Sequence, residues 1–351
     1  MSTSGKIMAG DNFDKGWVYV LHFDIPGKKS NYYKIGLSTN PIPLRIATLQ
    51  TGNPFKIIEE HSFDSECIGL LEGHLHKTFA KNRFRKEWFV LTPSVLKKVK
   101  QEGRKFNKKF SPLAVILRIL DKKESIHKVM PPSANHLQLH KKALAIHTKT
   151  NGIGLKRDIA KEHLRRLTGN TLGINGICNF YSLDIPNPSI KGSILKNLDL
   201  NEWKKWQKVS WKMDVGILGT STKAKSHPKL DAELKKLKAS NSSAFDLTTY
   251  AARHKSRSKG SKQYHQTVID CAEKIGQLKV ELDLIIIQFK LDCKRRKGID
   301  NVFKYIRSNS KIEFDKVAFA AARPRKAQNP IWFHSSNPSP KFKVENAIGY
   351  S

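Results

Sequence analysis

The sequence is poor in cysteine and has no long hydrophobic run. The four cysteines among its 351 residues show no paired spacing, which argues against a disulfide framework and against a zinc site. No apolar run reaches the length of a transmembrane helix, and the segment from Met1 to Lys6 lacks the apolar core of a signal peptide. We therefore expect reduced thiols, no membrane partner and an intracellular, cytoplasmic location.

Acidic residues are also scarce. The chain has 30 Asp and Glu against 64 Lys and Arg, a net charge of +34 and a pI near 10.0. An excess of this size is typical of proteins that bind nucleic acid. Residues 1–110 carry 19 basic and 10 acidic side chains, so the remaining 241 residues carry a net +25. This predicts that the C-terminal two thirds hold the polyanion, and charge alone does not distinguish DNA from RNA.

The first hundred residues predict a small α/β unit. Apolar runs rich in β-formers, at 17–23 and 32–38, are separated by a loop with Pro26 and Gly27, which predicts an antiparallel hairpin. A third strand is expected at 55–63 and a last one at 87–91. Asn40 should cap a short helix whose first residue is Pro41. A second helix carries apolar residues at helical spacing, namely Ile68, Leu71, Leu75 and Phe79.

Strand alternation sorts the polar side chains of this unit. Tyr19 shares a face of the first strand with Trp17 and Leu21, and Lys34 shares a face of the second strand with Tyr32 and Gly36. Tyr19 and Lys34 can therefore be neighbours across the hairpin. Arg45 falls in the first turns of the first helix, while Glu72 and His76 lie four residues apart at the margin of the apolar stripe of the second.

These side chains match the requirements for cutting a phosphodiester. The reaction needs a nucleophilic water, neutralisation of charge on the phosphoryl oxygens and stabilisation of the leaving alkoxide. We expect Glu72 to hold one Mg²⁺ or Mn²⁺ ion and Arg45 to clamp the scissile phosphate. Tyr19 would take the proton from water, with Lys34 as its electrostatic partner.

In this order the residues resemble the GIY-YIG nuclease superfamily. Trp17-Val18-Tyr19 corresponds to the first triplet and Lys34-Ile35-Gly36 to the second. The run from Leu49-Gln50-Thr51-Gly52-Asn53-Pro54 through Leu75-His76 to Glu87-Trp88-Phe89 is similar to the phage-type branch. That branch is often described as a DNA-binding domain, and it has Lys-Ile-Gly in place of Tyr-Ile-Gly. The resemblance covers residues 17 to about 95.

The resemblance implies a fold, an activity and a set of site residues. The fold is α+β, with a three-stranded antiparallel sheet flanked by helices and followed by a mostly helical basic region. The activity is metal-dependent cleavage of DNA, expected to be double-stranded, in the nucleoid or, for a phage protein, in the host cytoplasm. Trp17 replaces the usual Gly and Lys34 the usual second Tyr, so a DNA-binding protein that does not cut is the alternative, and RNA binding or cleavage is the third. Auxiliary roles are expected for His76, Asn82 and Glu87.

The rest of the chain predicts a series of basic segments. We expect the nuclease-like domain over 1–110, a basic mixed or helical nucleic-acid-binding domain over 111–221 and a Lys- and Ser-rich linker over 222–263. A helical segment at 264–330 and a tail at 331–351 would follow. Apolar residues between Val268 and Phe289 recur in alternating steps of three and four. That spacing predicts either a homodimer through the 268–289 helix or a helical hairpin within one chain.

Overall fold

The computed structural model describes residues 14–24, 31–51, 53–169, 171–181, 196–197, 199–242, 251–322 and 341–345. An antiparallel sheet forms the N-terminal domain, with strand order β3-β1-β2-β5-β4. Its strands are β1 (Gly16–Asp24), β2 (Tyr32–Ser38), β3 (Lys56–Ser65), β4 (Arg83–Arg85) and β5 (Trp88–Val90). The four predicted strands are present as β1, β2, β3 and β5. The short strand β4 is not predicted from the sequence, and the sheet has five strands where three are expected. The predicted α+β class is confirmed.

Helices cover both faces of this sheet. They are α1 (Ile42–Gln50), α2 (Ile68–Thr78) and α3 (Pro93–Asp121). Tyr19 and Leu21 pack with Ile42 of α1, whereas Val18, Val20 and Ile35 pack on the opposite face with α2 and α3. The sheet faces are those that strand alternation predicts.

The third helix crosses the predicted end of the N-terminal domain. That domain is expected to end at residue 110, but α3 continues through Pro112 to Asp121. A proline inside a helix removes one backbone hydrogen bond. Here Ala114 and Leu117 lie beyond the proline and are buried in the same core as α2, so packing outweighs the lost bond. The predicted boundary at residue 110 therefore falls inside a helix.

The remainder of the described chain is mostly helical and includes two further sheets. Its helices are α4 (Ala134–Thr168), α5 (Leu200–Lys205), α6 (Lys223–Ser226), α7 (Pro228–Ser242), α8 (Lys259–Cys293) and α9 (Lys316–Ala322). Its strands are β6 (Thr171–Ile174), β7 (Cys178–Tyr181), β8 (Gln207–Ile217), β9 (Ala251–Lys255), β10 (Gly298–Ile299), β11 (Phe303–Phe314) and β12 (Lys341–Val344). They form the sheets β12-β7-β6-β9 and β10-β11-β8. Among the described helices, none combines the length and the apolar character needed to cross a membrane.

The segment predicted as a flexible linker contains α6, α7, β9 and the first turns of α8. Leu230, Leu234 and Leu237 of α7 pack against Leu155 and Ile159 of α4. The Lys- and Ser-rich composition of this segment predicts a linker. The three leucines nevertheless form an apolar stripe that packs the helix against α4. Residues 243–250 of the predicted linker and most of the predicted tail lie outside the described residues.

The heptad-like face of α8 is buried within the chain. Leu282, Ile285 and Phe289 share one core with Ala143 of α4 and Phe303 of β11. The predicted homodimer through residues 268–289 is therefore wrong for this face, because α4 and β11 already cover it. The opposite side of α8 packs against α2. A Cβ on Gly73 would lie 2.8 Å from Val280 Cγ2, and Lys77 Nζ forms an ion pair with Glu281 Oε1 at 2.7 Å.

Candidate active site

Tyr19 and Arg45 meet above the glycine of Lys-Ile-Gly. Tyr19 on β1 lies opposite Gly36 on β2, and its phenol ring is almost completely buried. Arg45 reaches down from α1 and donates a hydrogen bond through Nε to Tyr19 Oη at 3.4 Å. A Cβ on Gly36 would lie only 2.6 Å from Tyr19 Oη. The glycine is needed here because the phenol lies directly against the β2 backbone.

This close approach predicts the effect of Gly36→Ala. The added methyl group would displace the phenol and lower the free energy of unfolding by about 1–3 kcal/mol, the usual cost of overpacking. Gly216→Ala is the matched control, because Gly216 also lies in a strand and no atom lies within 4 Å of the place that its added methyl group would take. Chemical denaturation of both variants tests the close approach. Equal stabilities would contradict the packing of Tyr19 over Gly36.

Lys34 lies on the same face of β2, two residues from Gly36. The register places it opposite Leu21 rather than Tyr19, so Tyr19 and Lys34 are diagonal neighbours across the hairpin. Lys34 Nζ forms an ion pair with Glu87 Oε2 at 2.5 Å, and it lies 5.9 Å from the centre of the Trp88 ring. Of the three residues expected to have auxiliary roles, Glu87 is the one that pairs with Lys34.

Glu72 lies on α2 and interacts electrostatically with Lys34 and Glu87. Strand β5 pairs with β2 only as far as Lys34, apart from a hydrogen bond from Ile35 N to Glu87 O. Burial raises the pKa of Glu72 to about 8, and the negative charge of Glu87 acts in the same direction, while Lys34 and Arg83 oppose the rise. The Glu72 carboxyl therefore carries a proton at neutral pH unless a cation replaces it.

The residues around Glu72 fit a magnesium ion by their chemistry. Mg²⁺ is a hard cation that binds through one or two carboxylates and keeps several waters. Glu72 and Glu87 supply two carboxylates close enough to interact, and a cation would relieve the desolvation that keeps Glu72 protonated. Among the described residues, no group of three or more His, Cys, Asp or Glu side chains could enclose an ion. A water-rich magnesium site is compatible with that sparse donor set, whereas a closed structural zinc site is not.

Arg83 is a residue near the site that sequence reasoning missed. Its Nη1 pairs with Glu273 Oε1 of α8 at 3.3 Å, and its Nη2 donates to the carbonyl of His76 at 3.1 Å. Its buried Nε has no hydrogen-bond partner among the described residues. An Arg beside other basic residues is indistinguishable in sequence from a solvated charge, because its partner Glu273 is 190 positions away.

His76 and Asn82 have structural positions. His76 is buried and its Nε2 donates to the free carbonyl of Ile35 at 2.9 Å, which fixes α2 beside β2. Burial lowers the pKa of His76 to about 4, so the ring is neutral at pH 7. Asn82 lies in the 3₁₀ turn between α2 and β4, where its backbone N–H donates to the carbonyl of Phe79.

Comparison with known proteins bears on this domain alone. The family model described as the T5orf172 domain matches residues 16–103, which include the five-stranded sheet, α1, α2 and the first part of α3. The comparison with curated proteins and the comparison with solved structures each gave no match. The N-terminal domain is thus similar to the T5orf172 domain, a phage-associated domain of the GIY-YIG- and HNH-like endonuclease-related group, with a nuclease or DNA-binding role at that coarse level.

Proposed function

We propose that the chain is a DNA endonuclease of the GIY-YIG type that hydrolyses phosphodiester bonds with a single divalent metal ion. The observation that carries the proposal is the placement of Tyr19, Arg45 and Lys34 on one face of the β1–β2 hairpin, with Glu72 of α2 within electrostatic range of Lys34. Tyr19 lies against Gly36, Arg45 contacts the phenol, Lys34 is on the same strand face, and Glu72 interacts electrostatically with Lys34. The basic remainder of the chain would tether it to DNA.

Each side chain has a proposed task. The planar fork of Arg45 binds the scissile phosphate and stabilises its charge in the transition state. Tyr19, as the phenolate that accepts the Arg45 hydrogen bond, would take the proton of the attacking water on Oη. Lys34 holds positive charge beside the phenol, and Glu87 keeps the ammonium in place through its 2.5 Å ion pair.

Glu72 is the proposed metal ligand, with Glu87 beside it. Mg²⁺ or Mn²⁺, when bound, would supply Lewis-acid stabilisation of the leaving oxygen. Because burial raises the pKa of Glu72 to about 8, binding of the ion releases a proton from this carboxyl at neutral pH. The affinity for Mg²⁺ should therefore rise with pH up to about 8.

A DNA-binding protein that does not cut is the second candidate. Two observations favour it: Trp17 replaces the usual first glycine, and the Lys34 ammonium is already engaged by Glu87. In that case Arg45 would contact phosphates without stabilising a transition state. Nicking of supercoiled plasmid in Mg²⁺, with EDTA as control and an RNA substrate in parallel, separates the enzyme, the binder and an RNA nuclease.

Arg45→Ala tests the proposed catalytic role of the guanidinium. We expect the single-turnover rate of plasmid nicking to fall. The loss of transition-state stabilisation should be about 2–4 kcal/mol, as when other charge-stabilising donors are removed. Lys97→Ala is the control, because it removes the same charge from an exposed position on α3, which packs on the opposite face of the sheet. An unchanged rate for Arg45→Ala, or an equal loss for both variants, would remove Arg45 from the mechanism.

A further inference from the structure

A cleft separates the β4–β5 hairpin from the beginning of α8. One wall carries Arg85 and Lys86 of the hairpin, and the other carries Arg257 and Lys262 beside the turn between β6 and β7. All four of these basic side chains are exposed. The two walls are more than 170 positions apart in sequence, so only the fold brings these charges together.

The charge of the cleft is strongly positive. With Arg83, five cationic side chains line it against two carboxylates, Asp270 and Glu273. Both carboxylates have partners: Glu273 pairs with Arg83 at 3.3 Å, and Asp270 accepts a hydrogen bond from Gln266 at 2.8 Å. The exposed cations are thus available for an anionic ligand that runs between the walls.

The position of Arg257 is set by the β6–β7 turn. Its Nε donates to the carbonyl of Asn175 at 2.7 Å. Gly176 has φ +62°, and a Cβ there would collide with the Arg257 guanidinium. The guanidinium therefore lies over a glycine of a tight turn, which orders one wall of the cleft.

An exposed aromatic residue lies beside these charges. Phe84 is 62% exposed, and its ring meets the Tyr32 ring edge-to-face with centres 5.0 Å apart. Exposed aromatic rings next to Arg and Lys are typical of surfaces on which unpaired bases stack. This feature distinguishes nucleic acid from other polyanions that the charge alone would accept.

The β4–β5 hairpin connects the cleft to the candidate active site. The hairpin residue that follows Lys86 is Glu87, which pairs with Lys34, and Arg83 interacts electrostatically with Glu72. A strand bound at Lys34 would therefore meet the cleft at this hairpin.

We propose that this cleft binds the phosphate backbone of the DNA strand that leaves the active site, with Phe84 stacking on an unpaired base. The choice of ligand rests on the proposed function. Binding is measured in EDTA, so a failure of cleavage and a failure of this surface are distinguishable.

The salt dependence of DNA binding tests the phosphate contacts. Arg85→Gln combined with Lys262→Gln removes one charge from each wall. We expect the slope of log K against log salt concentration to become shallower by about 2 for duplex DNA, because two phosphates are no longer neutralised. Lys97→Gln combined with Lys98→Gln removes the same charge from exposed positions on α3, outside the cleft and outside the basic remainder of the chain, and should leave the slope almost unchanged. Equal slopes for the two double variants, or no salt-dependent binding by the parent chain, would overturn the proposal.

The stacking role is tested with two DNA ligands, a blunt duplex and the same duplex with a single-stranded overhang. Phe84→Ala should weaken binding of the overhang ligand about fivefold or more and leave the blunt ligand unaffected. Phe55→Ala, which removes another exposed phenyl ring of the same domain, is the control. Unchanged affinity of Phe84→Ala for the overhang, or an equal loss for both ligands, would refute stacking at Phe84.

Discussion

Glu72→Gln should reduce plasmid nicking by roughly a thousandfold or more, because it removes the proposed metal ligand and the several kcal/mol that a bound cation supplies. The affinity for DNA measured in EDTA should be almost unchanged, since the substitution adds no bulk and removes little charge from a carboxyl that is protonated at neutral pH. Glu59→Gln, at an exposed position of β3, is the control and should cut normally.

The same variant has a second readout that is independent of activity. The pKa of Glu72 is raised from 4.5 to about 8, so its protonated form stabilises the fold fully below pH 4.5, and that stability is lost as the pH rises to 8. Glutamine cannot ionise. In EDTA, Glu72→Gln should therefore gain melting temperature relative to the parent chain as the pH rises from 4.5 to about 8.

Near pH 8, magnesium should reverse the difference in melting temperature between Glu72→Gln and the parent chain. Ligand binding to the folded state alone stabilises it, so Mg²⁺ should raise the melting temperature of the parent chain near pH 8 but not that of Glu72→Gln. An equal response of both chains to Mg²⁺, or nicking by Glu72→Gln at the parent rate, would show that Glu72 is not the ligand.

The second large effect is expected at a buried ionic cluster far from the sheet face that carries Tyr19. Asp121, at the end of α3, accepts hydrogen bonds from Tyr305 Oη at 2.5 Å and from Lys290 Nζ at 3.1 Å. Lys290 and Tyr305 are completely buried, and burial lowers the pKa of Lys290 and raises that of Tyr305. Asp121→Ala leaves the buried ammonium without this carboxylate and should cost about 3–5 kcal/mol of unfolding free energy.

Two further variants show whether the stability lost in Asp121→Ala comes from the unpaired charge of Lys290. Asp121→Ala combined with Lys290→Met removes both charges and should recover most of the stability, because an apolar replacement avoids the desolvation penalty. Asp231→Ala breaks the Asp231–Lys235 pair at the surface of α7, in which the ammonium is exposed, and should cost less than about 1 kcal/mol. Urea denaturation compares the three. If Asp121→Ala were no less stable than Asp231→Ala, the cluster would not hold α3 to α8.

The parts of the site that could be predicted are those that depend on local patterns. Alternation along the hairpin places Tyr19 with Leu21 on the α1 face, and helical spacing places Leu71 and Leu75 in the core. These patterns need only the period of a strand or a helix. The exact register does not follow from them, and it places Tyr19 opposite Gly36 rather than Lys34.

The parts that could not be predicted depend on residues distant in sequence. The partner of Lys34 is Glu87, 53 positions away, and the partner of Arg83 lies on α8. The hydrogen bond of His76 depends on β5 beginning only at Trp88, opposite Lys34, which leaves the Ile35 carbonyl without a partner on β5. Composition predicts a linker where α7 forms, because the packing of its three leucines against α4 depends on residues distant in sequence.

The central claim is that Tyr19, Lys34, Arg45 and Glu72 form one catalytic site. Single-turnover nicking of supercoiled plasmid by the full chain, in Mg²⁺ and in EDTA, tests it most directly when Tyr19→Phe is measured beside it. Phenylalanine keeps the ring over Gly36 and removes only the hydroxyl that Arg45 contacts. We predict nicking by the parent chain in Mg²⁺, none in EDTA, and almost none by Tyr19→Phe in either buffer despite unchanged DNA binding. Nicking by Tyr19→Phe at the parent rate, or tight DNA binding by the parent chain without nicking in Mg²⁺, would contradict the claim.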